Sequence, residues 1–415
     1  MTGTAQPCGP PRVVVHGGGS AGWITACLLQ REWAARGGSV TVVESSAIGI
    51  IGVGEGSTPQ LKGFFDHLGI AEAEWMAACD ATYKLGIRFT GWSERAGYES
   101  YFHPFPGPVD LHSEPGFVHN CMLARRGFDV PAHPDDWFLA TDLAQHARGP
   151  HPAESFPFAP SYGYHFDAHK LGGFLRAWAT QRGVTHLDRK VAEVEVADNG
   201  DVTALVCEDG ERVEGDLFVD CTGFKALLIE GAMGVPFRDY NDVLFCDTAL
   251  AMQVPYAAPD SSIASHTIST AQSAGWIWDI GIQTRRGVGH VFSSSHISDE
   301  QAERELRAYV GPASDGLNVR KIKIRSGHRE TFWKGNCVAV GLAAGFLEPL
   351  EASAIVLIEL SAKIIAEQMP ACREVMDIIA SRFNATTHYR WGRIIDFLKL
   401  HYVLTQRTNS DFWRD

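Results

Sequence analysis

The 415-residue chain contains no Cys-x-x-Cys pair, and none of its nine cysteines groups with histidine at metal-ligand spacing. That arrangement excludes the common zinc sites, so no metal is expected. Basic residues are in short supply: 36 Lys and Arg stand against 49 Asp and Glu, a net charge of −13. An acidic chain is repelled by phosphate backbones, which argues against nucleic acid as a partner. Long apolar runs are missing too. None reaches the length of a bilayer span, and the stretch up to Ser20 lacks the charged start and apolar core of a secretory leader. Cys27, Cys221 and Cys246 fall within apolar runs, where a thiol behaves as a small buried hydrophobe. The expectation is a reduced, cytoplasmic protein with no membrane partner. No internal repeat or low-complexity tract is present, and 45% hydrophobic content over this length supports two domains or one large interleaved unit.

What the sequence does contain is a βαβ opening. Residues 12–16 form a short apolar run, residues 20–36 carry Trp23, Ala26, Cys27, Leu29 and Trp33 at helical spacing, and residues 39–44 read as a second buried strand. Between the first two lies Gly17-Gly18-Gly19-Ser20-Ala21-Gly22, a G-x-G-x-x-G turn. Gly17 permits the tight turn, Gly19 lets backbone approach a pyrophosphate, and Gly22 lets helix and strand pack closely. The N–H groups around Ser20 and Ala21 then face the anion. Glu44 ends the second strand, where an acid accepts ribose hydroxyls. The turn alone is a weak signal; strand, helix and acid in sequence make it a dinucleotide site. NAD and FAD both suit it. Two features favour FAD: Asp216-x-x-Val-Asp-x-Thr-Gly223 looks like the second signature of two-dinucleotide-type flavoproteins, and no second G-x-G-x-x-G is available for a nicotinamide. The flavin would then arrive reduced, as FADH2, although some single-motif hydroxylases use NADPH.

Further along, Ser57 or Thr58 is expected to cap a helix opened by Pro59. Residues 82–89 alternate, with Tyr83, Leu85, Ile87 and Phe89 on one face and Thr82, Lys84, Gly86 and Arg88 on the other, which predicts one continuous strand. Residues 96–160, rich in Pro, Gly, His and aromatics, read as an irregular cap. Residues 190–222 read as a meander with turns at Asp198–Asp201 and Asp209-Gly210, residues 243–330 as β-rich, and residue 354 to about 405 as helical, interrupted at Pro370.

Five segments, in order, resemble the flavin-dependent tryptophan halogenase family: Gly17–Trp23; Gly54-Glu-Gly-Ser-Thr-Pro59; Thr82-Tyr-Lys-Leu-Gly-Ile-Arg-Phe89; Gly275-Trp-Ile-Trp-Asp-Ile280; and Gly341-Leu-Ala-Ala-Gly-Phe-Leu-Glu-Pro-Leu-Glu-Ala-Ser-Ala-Ile355. The lysine strand and the E-P-L-E stretch are specific even singly. The resemblance spans essentially the whole chain. It implies an α/β fold of the FAD-binding, two-dinucleotide (Rossmann-like) flavin monooxygenase type, with an interleaved substrate domain and a helical C-terminus. Residues 1–95, 160–235 and 325–365 would bind FAD; residues 96–159, 236–324 and 366–415 would form the substrate region.

The implied reaction takes FADH2 from a separate reductase, O2 and chloride or bromide. Hypohalous acid, free or as a lysine haloamine, then halogenates a small electron-rich aromatic such as indole. By resemblance Lys84 is the lysine, and the chemistry suits it: an ammonium polarises hypohalous acid towards X+, and a neutral amine captures X+, a form that burial favours. The strand pattern alone suits a solvated lysine better. Glu351 matches the carboxylate that stabilises the ring cation and takes its proton; Glu348 matches the family too but reads as a tie for the loop. Ser353 and Ala354 align with backbone halide ligands at a helix start. Gly54, Val191, Leu342 and Ile355, together with Gly17–Trp23 and Glu44, align with FAD contacts. Trp276 and Trp278 align with the barrier between flavin and substrate. His103 and Phe105, with Tyr402, Phe412 and Trp413, align with the aromatic substrate walls.

Three departures stand out. Gly281 replaces the proline of W-x-W-x-I-P, which loosens the barrier and keeps a flavin-dependent aromatic monooxygenase in view as an alternative. An inactive flavin-binding module is a further alternative, opposed by intact Lys84 and Glu351. Where the family's tryptophan enzymes carry a Tyr pair and an acid for the amino acid's charged groups, this chain has His401-Tyr402 and Thr408, so indole or a substituted or tethered indole is expected rather than free tryptophan. The sequence stops at Asp415, directly after Phe412-Trp413, where family members continue; a minimal C-terminal pocket or a shortened chain is expected. A homodimer is compatible with all of this.

Overall fold

The computed structural model describes residues 9–48, 55–152, 154–155, 157–158, 160–370 and 372–415. Arg12–His16, Ser39–Glu44 and the helix Ser20–Trp33 between them form the βαβ opening. Around it a six-stranded sheet runs in the order Trp333–Lys334, Cys337–Ala339, Leu217–Asp220, Arg12–His16, Ser39–Glu44, Thr185–Asp188. All neighbours are parallel except the first pair. Val13, Val14 and Val15 are buried on both faces, as the unbroken apolar run requires of a central parallel strand. This is a Rossmann-like sheet, and its strands' carboxyl ends, at Gly17, Glu44 and Cys221, form one rim.

A second, seven-stranded sheet has the order Arg320–Lys323, Thr248–Pro255, Arg285–Phe292, Gly275–Gly281, Thr267–Gln272, Gly86–Thr90, Ser100–Pro104. It is antiparallel apart from the pairing of Thr267–Gln272 with Gly86–Thr90. The meander of Val191–Val196, Val202–Cys207 and Arg212–Glu214 forms where its turn residues placed it. The C-terminal part is helical: Ser353–Glu367, then Arg373–Leu404 beyond the break at Pro370. Residues 108–145 hold short helices at Pro108–His112, Glu114–Ala124, Pro134–Asp136 and Leu139–Gln145, where the sequence promised only irregular cap. Among the described residues, no helix is long and apolar enough to cross a membrane.

Two local expectations are corrected. The lysine strand is not continuous. It breaks at Leu85, whose N–H donates to the Ser265 carbonyl (2.7 Å) and whose carbonyl accepts from Phe105 N–H (3.0 Å). Thr82–Lys84 pairs with Gly163–Phe166 in a small separate sheet, while Gly86–Thr90 joins the seven-stranded one. Alternating apolarity is satisfied by two short strands in different sheets as well as by one long strand. Nor do Ser57 and Thr58 cap the helix Gln60–Leu68 through their side chains: Ser57 Oγ instead accepts from Tyr164 N–H (3.0 Å), tying the loop to the Lys84 sheet.

Candidate functional site

At the carboxyl rim of the parallel sheet the Gly-rich turn is shaped by what surrounds it. Gly17 has φ +114°, and a Cβ there would be driven into the Cys221 carbonyl; one on Gly22 would strike the Gly17 carbonyl. Gly19 differs, since among the described residues a Cβ there meets nothing within 4 Å beyond its chain neighbours. Its side-chain position opens into the space before the helix Ser20–Trp33, which has no side-chain cap for its free N–H groups. A cradle of that shape suits a pyrophosphate. Glu44 flanks Gly18 and lies 2.9 Å from His186 Nε2 and 3.7 Å from Arg176 Nη1. Arg189 N–H donates to the Glu44 carbonyl (2.7 Å), which brings the start of Val191–Val196 to the same rim. Gly341 packs against Ala21, so Leu342 in the adjoining turn lies at the cradle too, and Ile355 is buried in the next helix. Trp23 is placed differently from the other residues of this set: its ring is buried at 1% exposure, edge-on to His186, so only its backbone adjoins the cradle. Gly54 lies outside the described residues.

Lys84 is 1% exposed. Among the described residues its Nζ makes no hydrogen bond; it sits 5.5 Å above the Phe105 ring, and Gly56 backs directly onto it. Burial lowers the amine to about 8, against the pull of the Glu351 charge in the other direction. His165, fully buried beside it and hydrogen-bonded to Thr267 Oγ1 (2.8 Å), is held neutral by burial first and by the Lys84 charge second.

Glu351 closes the short turn Pro349–Glu351. Ala352 follows in the left-handed region at φ +53°, and the helix Ser353–Glu367 starts at once. One oxygen, Oε1, takes two imidazole contacts: His103 Nδ1 at 2.9 Å and His401 Nε2 at 2.8 Å. Burial opposes the carboxylate, but the two hydrogen bonds outweigh it and hold Glu351 down to about 2. His103 is raised in return: the hydrogen bond to Glu351 overcomes the effect of burial. The three ligand-type atoms lie within 4.8 Å of one another. Ser353 is buried at the first helical position and Ala354 is exposed beside it, so their backbone N–H groups have no intrahelical partner.

Glu348, three residues earlier, is fully buried. Its Oε2 accepts from Tyr402 Oη (2.6 Å) and Trp276 Nε1 (3.2 Å). It ties the strand Gly275–Gly281 to the C-terminal helix, which is the loop-fixing role read from the sequence. Trp278 lies on the same strand face, 5% exposed and 6.4 Å from Trp276.

The expected substrate wall divides. His103 and Phe105 stand at Lys84 and Glu351. Tyr402 turns its hydroxyl to Glu348, and Trp413 donates from Nε1 to the Gln272 carbonyl (2.8 Å). Both pack against Trp92 and Phe412, edge to face except for the tilted pair of Tyr402 and Trp92. With Phe245, Lys399 and Arg407 they line a different cavity of about 260 Å³, whose lining does not include Lys84, Glu351, His103 or Phe105. The residue from the C-terminal helix that does reach the lysine pocket is His401, which sequence reasoning noted only as a departure. His165 carried no sequence signal at all.

The chain's likeness to known proteins is extensive. Residues 12–415 match the sequence profile described as tryptophan halogenase. The tryptophan 6-halogenase SttH of Streptomyces toxytricini is 37% identical, the alignment covering 98% of this chain and 80% of that protein. The tryptophan 7-halogenase RebH of Lentzea aerocolonigenes is 32% identical over 97% and 78%. Among solved structures, a tryptophan halogenase from Shewanella frigidimarina superposes with TM-score 0.88 at 39% identity, covering 98% of this chain and 80% of that one. BrvH, a flavin-dependent halogenase from Brevundimonas sp. BAL3, gives 0.86 at 38% identity, over 98% and 81%.

Proposed function

The chain belongs to the tryptophan halogenase family, and on that premise we propose that it is an FADH2-dependent enzyme that places chloride or bromide on an indole-type ring. The observation that carries the reading is Lys84: an amine 1% exposed, without a hydrogen-bond partner among the described residues, facing an aromatic ring and the field of Glu351. A buried, unpaired cation costs stability, and a function explains why one is kept there.

The residues present suit the flavin. The open Cβ position of Gly19, the uncapped start of Ser20–Trp33 and Glu44 would hold its pyrophosphate and ribose. Leu342, Ile355 and the segment at Val191 would supply further contacts. When bound as FADH2, with O2, the cofactor supplies the oxidising equivalents that turn halide into hypohalous acid. A separate reductase would deliver it. The free N–H groups of Ser353 and Ala354 would hold the halide. Trp276 and Trp278, fixed through Glu348, would keep the aromatic substrate from the flavin. The cofactor-binding segments would be 1–95, 160–235 and 325–365, within which Gly86–Thr90 pairs into the seven-stranded sheet.

At the pocket, the Lys84 ammonium donates a hydrogen bond to the oxygen of hypohalous acid and draws electron density from the halogen. The ring attacks the halogen, the O–X bond breaks, and Lys84 protonates the departing hydroxide to water. The ring is now a cation bearing both hydrogen and halogen at one carbon. Glu351 stabilises it and takes the proton, restoring aromaticity. Nearby Phe105 and His103 form the walls; Tyr402, Phe412 and Trp413 act one layer behind. The ammonium is chosen over a haloamine because an amine held at about 8 is mostly protonated at neutral pH.

The test is incubation with FADH2, O2, bromide and indole, read by mass spectrometry. Bromine's isotope doublet on the product is expected. A product carrying one added oxygen would instead establish the monooxygenase reading that Gly281 keeps open.

A further inference from the structure

His401 occupies a position where the sequence offered only a departure from the family's pattern. Its ring lies at 5.3 Å from Phe89, nearly parallel, and is only 10% exposed. Both its nitrogens are used. Nδ1 lies 2.8 Å from the Phe397 carbonyl and Nε2 lies 2.8 Å from Glu351 Oε1. A carbonyl only accepts, so Nδ1 carries a proton. An ionised carboxylate also only accepts, so Nε2 carries another. The two contacts together require a doubly protonated, cationic ring, whereas a neutral ring would set a lone pair against the carboxylate oxygen. His103 makes the second contact on the same oxygen, leaving Oε2 without a hydrogen bond among the described residues.

We propose that His401 is a positioning residue: as an imidazolium it clamps Glu351 through Oε1, so that Oε2 alone is presented to the substrate for proton removal. The proposal rests on the role assigned to Glu351 above. It explains why a histidine here turns inward to the carboxylate instead of outward to a substrate. The groups whose charge reaches Glu351 are Lys84 from its own strand, Tyr101 and His103 from Ser100–Pro104, and His401 from the long helix. The long helix also sets His401 within the field of Glu348. Of these, His401 and His103 alone hydrogen-bond Glu351, and His401 is the more buried, at 10% against 42% side-chain exposure.

The test compares wild type with His401→Phe, which keeps the stack on Phe89, and His401→Gln, which keeps a donor near Nε2. For His401→Phe, kcat falls roughly 10- to 100-fold while KM stays within about twofold, and His401→Gln recovers most of the loss. The acid limb of the kcat profile moves upward in His401→Phe as Glu351 loses a donor. Activity-independent evidence comes from nitrogen-15 NMR of the ring in chelator-treated wild-type protein at neutral pH. Both ring nitrogens are expected to carry protons. If the wild type halogenates nothing, the functional reading fails while the NMR result still decides the clamp. A single protonated ring nitrogen, an effect of His401→Phe confined to KM, or unchanged kcat would each overturn the proposal.

Discussion

Glu348 and Glu351 lie three residues apart on one loop, yet their surroundings push them in opposite directions. Glu348 is sealed from solvent, and burial raises its carboxyl despite donors from Tyr402 and Trp276. Glu351 is nearly as buried, but two imidazoles on one oxygen hold it down to about 2. Identical side chains on neighbouring turns thus become a structural tie and a carboxylate that rests ionised. What distinguishes them is the charge of their donors: a phenol and an indole are neutral, whereas a protonated imidazole brings a charge. Glu348 ties Trp276 to Tyr402, and the charge of Glu351 acts on the lysine.

The comparison can be broken at its strongest point first. Lys84→Met is expected to lower halogenation at least ~1000-fold, because it removes both the donor to hypohalous acid and the acid that protonates hydroxide. The same variant is expected to be more stable, by roughly 1–3 kcal/mol in denaturant unfolding at neutral pH, since burying the ammonium costs about 3 kcal/mol through its lowered titration. The sign follows from the shift. The folded state binds fewer protons than the unfolded one between about 8 and the ordinary lysine value of 10.5, so wild-type stability rises with pH across that window. Lys84→Met should not share that rise.

Glu351→Gln should lower kcat roughly 100-fold or more, while Glu348→Gln, close to isosteric with a carboxyl whose proton affinity is raised, should stay within about threefold. Equal losses in single-turnover assays would erase the distinction between the two. Glu348→Ala differs from both: it strands the Tyr402 hydroxyl and the Trp276 N–H and should cost about 2–4 kcal/mol by chemical denaturation. Gly19→Ala should leave melting of the flavin-free protein unchanged, because its Cβ meets nothing within 4 Å among the described residues beyond its chain neighbours, yet weaken FAD affinity at least ~10-fold in a fluorescence titration. The smallest effect is in pH. Above about 8 the halogenation rate should fall as the ammonium is lost; a rate that rises there would favour transfer through a lysine haloamine.

The geometry of the glycine-rich turn was legible in the sequence and the lysine pocket only partly, for a physical reason. Strand, turn, helix and acid at residues 12–44 are local, and Gly17 and Gly22 answer to close backbone contacts while Gly19 leaves open space. The pocket is assembled from side chains far apart in sequence: Glu351 meets His401 across 50 residues and His103 across 248. Resemblance supplied Lys84, Glu351, His103 and Phe105, and the structure brings these together. It did not supply the turn at Leu85 that moves Lys84 into a different sheet from Ile87 and Phe89, because alternation reports burial and not pairing partner. Nor did it reveal that Tyr402, Phe412 and Trp413 would pack on one another beside a separate cavity. Aromatic residues near a predicted pocket pack on one another as readily as on a ligand, and composition does not separate the two.

The most direct measurement follows where the halogen goes in Lys84→Met supplied with FADH2, O2, bromide, indole and a soluble trap for hypobromous acid. Flavin oxidation should continue, with bromine recovered on the trap and none on indole. Bromoindole formed at the wild-type yield would contradict the assignment of Lys84.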